Sequence, residues 1–306
     1  MTTTIATALQ FFLLALAPLF TGTIQALKAR LQGRRGPSPL QPYLTLRRLW
    51  SKSTVAPNGA GIAYALAPPL VAACALIALL IVPVAGRAAN LGLGHDALAL
   101  VGVLALARFA LAASAWDTGN GFGLMGVARD LMLTVFGEAL LVLTLLIGAL
   151  GAHGSDLRAM ALAASGSRVW GQPWHWCGAA AFILVVLTES GRQPIDNPDT
   201  HLELTMIHEG PLLEYAGRDL ALLQWSAHAR QLLVLSLGAQ LFLPHPGGFG
   251  GALVAFAIAL AAQCVGLALI ETAQAKMRTL RVPALLGLGA LVALTGVGTF
   301  VAGVTL

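Results

Sequence analysis

The stretch Leu131–Ala152, LMLTVFGEALLVLTLLIGALGA, carries one charged side chain, Glu138, in 22 residues. As a helix it rises roughly 33 Å, enough to cross a hydrocarbon core of about 30 Å. Lipid offers no partner to backbone N–H and C=O groups, so a helix that satisfies them internally is the structure expected here. Working outward, seven more apolar stretches fit the same reading: Ile5–Leu27, Gly61–Ala85, Asp96–Ala115, Trp174–Glu189, Arg230–Leu243, Gly251–Glu271 and Val282–Val304. The fifth and sixth in chain order, Trp174–Glu189 and Arg230–Leu243, are short. The expected fold is an all-α polytopic membrane protein of about eight transmembrane helices.

Composition agrees. Of 306 residues, 57% are apolar and 10% charged, against roughly a quarter charged in soluble domains. No polar linker or fixed-period repeat divides the chain, so residues 1–306 read as a single integral-membrane domain. The first apolar stretch has no basic residues before it and no small-residue cleavage site after it, so a removable leader is not expected. Cys74, Cys177 and Cys264 stand alone in apolar runs without metal-ligand spacing. No metal or other cofactor is expected in this chain, and no nucleic-acid motif is visible.

The basic residues set an orientation. Lys28, Arg30, Arg34, Arg35, Arg47, Arg48 and Lys52 fall in a first loop, 28–60, and Lys276, Arg278 and Arg281 in the seventh. By the positive-inside rule these loops face the cytoplasm, and both termini lie on the outer side. Within the first loop Tyr43, Leu46 and Trp50 have helical spacing, which predicts a short interfacial helix on the lipid surface. Arg34 and Arg35 beside it would form a basic shelf for a soluble partner.

Seven of the thirteen acidic residues crowd into one cytoplasmic-side stretch, 189–229: Glu189, Asp196, Asp199, Glu203, Glu209, Glu214 and Asp219. Arg192, His201, His208 and Arg218 accompany them. A hydrated loop would tolerate such charges, but Leu202, Leu204, Met206, Ile207, Leu212 and Leu213 alternate with the acids. That mixture suits a segment folded between helices to line a polar cavity. Some members have purely structural duties available: Thr200 with Glu203 fits a capping box, and Glu214 with Arg218 an i,i+4 ion pair.

Glu138 is sharper, since an ionised carboxylate in mid-membrane costs roughly 2.5 to 3.5 kcal/mol. Pairing with Arg108 is one account of its presence. The other is a proton relay running between Glu138 and Glu189. Glu271 is available to the same relay, although an interfacial charge is its simpler reading.

Four ordered motifs then carry a resemblance. Gly33-Arg34-Arg35-Gly36-Pro37 with Leu40-Gln41-Pro42, Asp117-Thr118-Gly119 with Arg129, the run Glu189–Leu204, and Glu271-Thr272 through Arg281-Val282-Pro283 together span nearly the whole chain. They resemble the membrane subunit shared by respiratory complex I and energy-converting nickel-iron hydrogenases, nearest its formate hydrogenlyase branch. The resemblance implies a non-catalytic anchor in the bacterial inner membrane that opens a proton path. Glu138, Glu189, Asp196, Asp199, Glu203 and Glu214 would line that path, with Arg192, His201 and Arg218 organising the loop.

Implied partners are the hydrogenase large and small subunits, an iron–sulphur protein and antiporter-like membrane subunits; these partners would hold the nickel-iron centre and iron–sulphur clusters. Complex I subunits have Asn at Gly191 and Phe at Ile195, beside their quinone chamber. These departures argue against quinone, and the form Asn197-Pro198-Asp199-Thr200-His201 resembles the hydrogenase side.

Two other classes compete. A secondary transporter would show matching broken helices in both halves, and the interruption at Pro194–Pro211 has no counterpart in the first half. A prenyltransferase would need a second aspartate pair to complete the magnesium site offered by Asp196 and Asp199, and Asp96, Asp117, Asp130, Asp156 and Asp219 form none.

Overall fold

A computed structural model of the chain describes residues 2–85, 94–166, 168–196, 207–244 and 248–303. Ten α-helices occur among the described residues: α1 (Thr2–Leu31), α2 (Gln41–Trp50), α3 (Ile62–Ile81), α4 (Ala97–Thr118), α5 (Gly121–Ala152), α6 (Leu157–Ala164), α7 (Pro173–Glu189), α8 (Gly217–Phe242), α9 (Phe249–Ala273) and α10 (Val282–Val301). Among the described residues six segments are long and apolar enough to cross a membrane: Thr7–Leu31, Ile62–Ile81, Ala97–Thr118, Gly121–Ala152, Phe249–Ala273 and Thr279–Val301. The chain is a multi-pass, all-helical membrane protein.

The helices form one bundle. α8 is buried along most of its C-terminal half, from Ala229 to Phe242, and packs against α3, α7 and α1. α10 and α7 pack together against α5, while α1 lies on α9. One large apolar core joins residues from α1 through α10, among them Ile24, Leu100, Leu140, Val185, Leu232, Phe256 and Leu286. The outward sides stay apolar and exposed, for example Phe109 and Trp116 on α4 and Leu288, Leu291 and Leu294 on α10, as lipid-facing or partner-facing surfaces require.

Helix starts are written locally. The Asp96 carboxylate accepts from the Leu98 N–H at 2.7 Å, Asn120 caps α5 through Phe122, and Asp156 caps α6 through Arg158 at 2.7 Å, each satisfying donors that the first turn leaves free. Asp117 works across elements: its Oδ2 accepts the Tyr64 N–H at the start of α3 at 2.9 Å.

Three differences from the sequence expectation stand out. The fourth stretch begins at Gly121, ten residues before Leu131, because Asn120 supplies a cap there. The sixth begins at Gly217 rather than Arg230, so Arg218 and Asp219 belong to a helix and the acidic stretch 189–229 is helical from Gly217 onward. Helix α6, with Leu157, Met160 and Ala161 buried, had no counterpart among the expected elements. The short helix expected around Tyr43–Trp50 is α2, whose Arg47, Arg48, Leu44 and Trp50 are accessible.

Candidate functional site

Arg108 sits midway along α4, eleven residues beyond Ala97. A guanidinium there is shut away from solvent, and it is closed off on both sides by carboxylates. Its Nη1 donates to Glu138 of α5 at 3.1 Å, and its Nη2 pairs with Glu189 at the end of α7. Glu189 is 1% exposed and Arg108 7%, whereas the Glu138 side chain keeps 25% of its surface accessible. Three helices thus bring one cation and two carboxylates into a single group. Breaking such a pair from one side leaves an uncompensated buried charge, a cost of about 3–5 kcal/mol.

A second buried group lies beside it. Glu271 of α9 takes Lys28 of α1 at 3.2 Å and Arg192 at 3.1 Å. The Gln231 Oε1 of α8 accepts from Thr21 at 2.7 Å and from Arg192 at 3.3 Å. Glu271 is 2% exposed, so it is an interior member of this network and not an interfacial charge.

The chain leaving α7 turns tightly, with the Ile195 and Asp196 N–H groups both donating to the Arg192 carbonyl at 2.9 and 3.2 Å. It is clipped to the α9–α10 connection by the Met277 N–H, which donates to the Pro194 carbonyl at 2.8 Å, and by Lys276, whose Nζ lies 2.8 Å from Asp196 Oδ1. Burial alone would raise the Asp196 carboxyl, but hydrogen bonds and charge from His208 and Lys276 hold it well below the usual carboxylate range.

His208 joins Asp196, at 3.1 Å, to Asp130 of α5, at 3.7 Å. Gly191 passes beneath the ring with φ +58°, and a Cβ there would meet the His208 Cγ and Nδ1 at 3.0 Å. The left-handed backbone suits Gly, and the ring occupies the space that a side chain would take.

Further along, the Gly210–Leu212 turn crosses α5 with Gly126 and Gly210 back to back: a Cβ on Gly126 would sit 2.7 Å from the Gly210 Cα. Tyr215 stacks on Tyr64 with ring centroids 4.4 Å apart; its hydroxyl donates to the Tyr64 carbonyl at 3.0 Å, and the Tyr64 hydroxyl donates to the Glu214 carbonyl at 2.9 Å. Burial is the main cause that pushes the Tyr215 phenol up to about 12.

These groups surround a half-open cavity of about 940 Å³. Lys28, Glu189, Arg192, His208, Arg230 and Gln231 give it a charged wall, and Val71, Ala75, Leu104 and Leu111 an apolar one, with Arg34 and Arg35 among the lining residues. Arg34 and Arg35 are themselves exposed.

Of the residues expected from sequence, the structure brings Glu138, Glu189, Arg192 and Asp196 to this region, with Arg34 and Arg35 at the cavity. Glu214 lies apart from the carboxylates and accepts from Asn120, the cap of α5. Among the described residues no ion pair joins it to Arg218, which is exposed in the first turn of α8. Asp199, His201 and Glu203, with the Thr200–Glu203 capping box, lie outside the described residues. Lys28, Asp130, Arg230 and Gln231 were given no site role from the sequence, and His208 was placed only within the titratable cluster of the acidic stretch. For Lys28 the signal was hidden by its neighbours, since it adjoins a basic loop that orientation alone explains. For Gln231 it was available, because a polar residue facing inward from a buried helix needs a partner.

Residues 3–302 match the family model described as NADH dehydrogenase. The chain is 34% identical over 245 residues to hydrogenase-4 component C of Escherichia coli, covering 78% of this chain and 75% of that one. It is 31% identical over 287 residues to formate hydrogenlyase subunit 4 of the same organism, covering 87% and 88%. To a subunit of the NADH-quinone oxidoreductase of Cereibacter sphaeroides it is 32% identical over 246 residues, covering 78% and 75%. In fold it is similar to a chain of the archaeal membrane-bound sulfane sulfur reductase, a respiratory membrane complex, with TM-score 0.82 and 18% identity over 96% of this chain and 98% of that one. With a family match along nearly its whole length and relatives above 30% identity, this chain belongs to the NADH dehydrogenase family of membrane proteins.

Proposed function

We propose that the chain is the membrane anchor of a formate hydrogenlyase-type, energy-converting nickel-iron hydrogenase complex, and that it carries part of the proton path coupling electron transfer to ion movement. The observation that carries this reading is the Glu138–Arg108–Glu189 group. A guanidinium shared by two carboxylates has two arrangements of similar charge, so protonating either acid shifts the other. The similarity to hydrogenase-4 component C and formate hydrogenlyase subunit 4 supports the branch.

In this reading the six apolar spans are joined by α7, 17 residues long, and α8, whose polar face lines the cavity, to make eight crossings. Both termini lie on the outer side of a bacterial inner membrane. The accessible Arg34 and Arg35 dock the soluble arm, whose large and small hydrogenase subunits and iron–sulphur protein hold the nickel-iron centre and clusters. Glu138, on the side of α5 that also carries the exposed Val135 and Val142, faces antiporter-like partners. Asp199 and Glu203 extend the path, His201 organises the loop, and Glu214 and Arg218 act at its edge.

Isolation of the tagged complex tests the reading. Nickel and iron with hydrogen evolution are expected, and a flavin module without nickel would contradict it. The cavity favours one second reading, a quinone-site subunit of a complex I-type enzyme, because about 940 Å³ with one apolar wall has room for such a ligand. Val71, Ala75, Leu104 and Leu111 would then flank the ring and tail. Protection of the cavity from labelling by a quinone analogue would support that second reading.

A further inference from the structure

His208 is the residue of the cavity wall that touches acids from two different elements. Its Nδ1 lies 3.1 Å from Asp196 Oδ2 and its Nε2 3.7 Å from Asp130 Oδ1. Asp196 already takes the Lys276 ammonium at 2.8 Å and the His208 backbone N–H at 3.2 Å. Both those groups are donors, so Asp196 is an acceptor and the proton of a neutral imidazole sits on Nδ1. Nε2 is then the nitrogen that takes up and releases a proton. It faces α5, where Asp130 precedes Glu138 by eight residues, roughly 12 Å of helix rise. The other charged groups around the ring are Glu189 from α7, whose charge acts directly with His208, Glu209 in the same connection, and Arg230 from α8, which lines the same cavity. Glycine at position 191 leaves the ring its place.

We propose that His208 is the proton-loading residue of the buried carboxylate group. Its Nε2 takes up a proton that the bulk solvent supplies and cavity water relays, the water being left neutral, becomes imidazolium, and delivers the proton to the Asp130 carboxylate, returning to the neutral imidazole. One proton moves and no electrons do; Asp130 becomes a carboxylic acid until the proton passes toward Glu189 and Glu138. Asp196 is the positioning residue, holding Nδ1 while Lys276 keeps its own charge matched.

This assignment rests on the coupling function proposed above, and the test separates the two. The assembled complex is studied in membrane vesicles as wild type, His208→Gln and His208→Gly, with dye-linked turnover of the soluble arm as the control for assembly. The Gln variant keeps an amide donor toward Asp196 and has no group that titrates. Dye-linked turnover is expected to hold in all three, while proton uptake falls about a hundredfold in both variants, within the range of a lost general acid–base group. Added imidazole, small enough for the cavity, should restore uptake in the Gly variant. Wild-type uptake in the Gln variant, or an assembled Gly variant that imidazole does not rescue, would overturn the assignment to His208. A wild-type complex that moves no protons would instead overturn the coupling reading beneath it.

Discussion

Charge placement governs the single residues. Asp196 has a carboxyl held below its ordinary value, so the stability that this group adds is present above the unfolded value, near pH 4, and is lost only as pH falls through the lower folded value. The clip to Lys276 should therefore survive mild acid, and an Asp196→Asn variant should lose thermal stability at pH 7 while differing little from wild type at very low pH, as read by unfolding in detergent. Tyr215 has the opposite sign: a phenol raised to about 12 favours the fold below pH 10 and loses that contribution as pH rises through 12. Absorbance titration should find one tyrosine ionising late, and a Tyr215→Phe variant should lack that step and cost about 1 kcal/mol from the lost hydrogen bond. Glu138 was legible in the sequence because a carboxylate inside Leu131–Ala152 demands an account, and its pairing with Arg108 was among the alternatives. Glu271 was not, because a charge near a helix end looks interfacial until the fold puts Lys28 and Arg192 against it.

At the scale of elements, apolar length predicted the spans that face lipid and underread those that face the cavity. α8 begins thirteen residues before Arg230 because Gln224, His228 and Gln231, spaced four and three apart, turn one helical face to the cavity and lower the mean hydropathy of the segment. α6 was missed for a different reason: eight residues after a capping Asp156 are too few to span a membrane and too apolar to look like a loop. The resemblance-bearing motifs, by contrast, prove to be joints between elements. Asp117 ties α4 to the start of α3, and Gly191 carries His208. Another close joint is Gly126 against Gly210. A Gly126→Ala variant should separate α5 from that turn and lower stability by about 1–3 kcal/mol, as overpacking does, with a shift in thermal melting as the measurement.

For the whole molecule, an apolar bundle carries a basic, accessible edge at Arg34, Arg35, Arg47 and Arg48, which the proposed function makes the seat of the soluble arm. Replacing Arg34 and Arg35 together by Gln should weaken retention of the soluble arm, and raising salt should weaken the wild type in the same direction, since exposed charges are screened over about 8 Å at physiological ionic strength; co-sedimentation with washed membranes reads both. The fold class and family were legible from hydropathy and four motifs. The cavity was legible only on the side of the acidic stretch, because its other walls come from α1, α3, α4 and α8, which are distant in sequence. The account stands on Glu189 being the buried acid through which redox turnover reaches the membrane. The direct measurement is proton movement against hydrogen evolution in sealed vesicles carrying a Glu189→Gln complex. The account predicts hydrogen evolution without proton movement, and wild-type proton movement in that variant would contradict it.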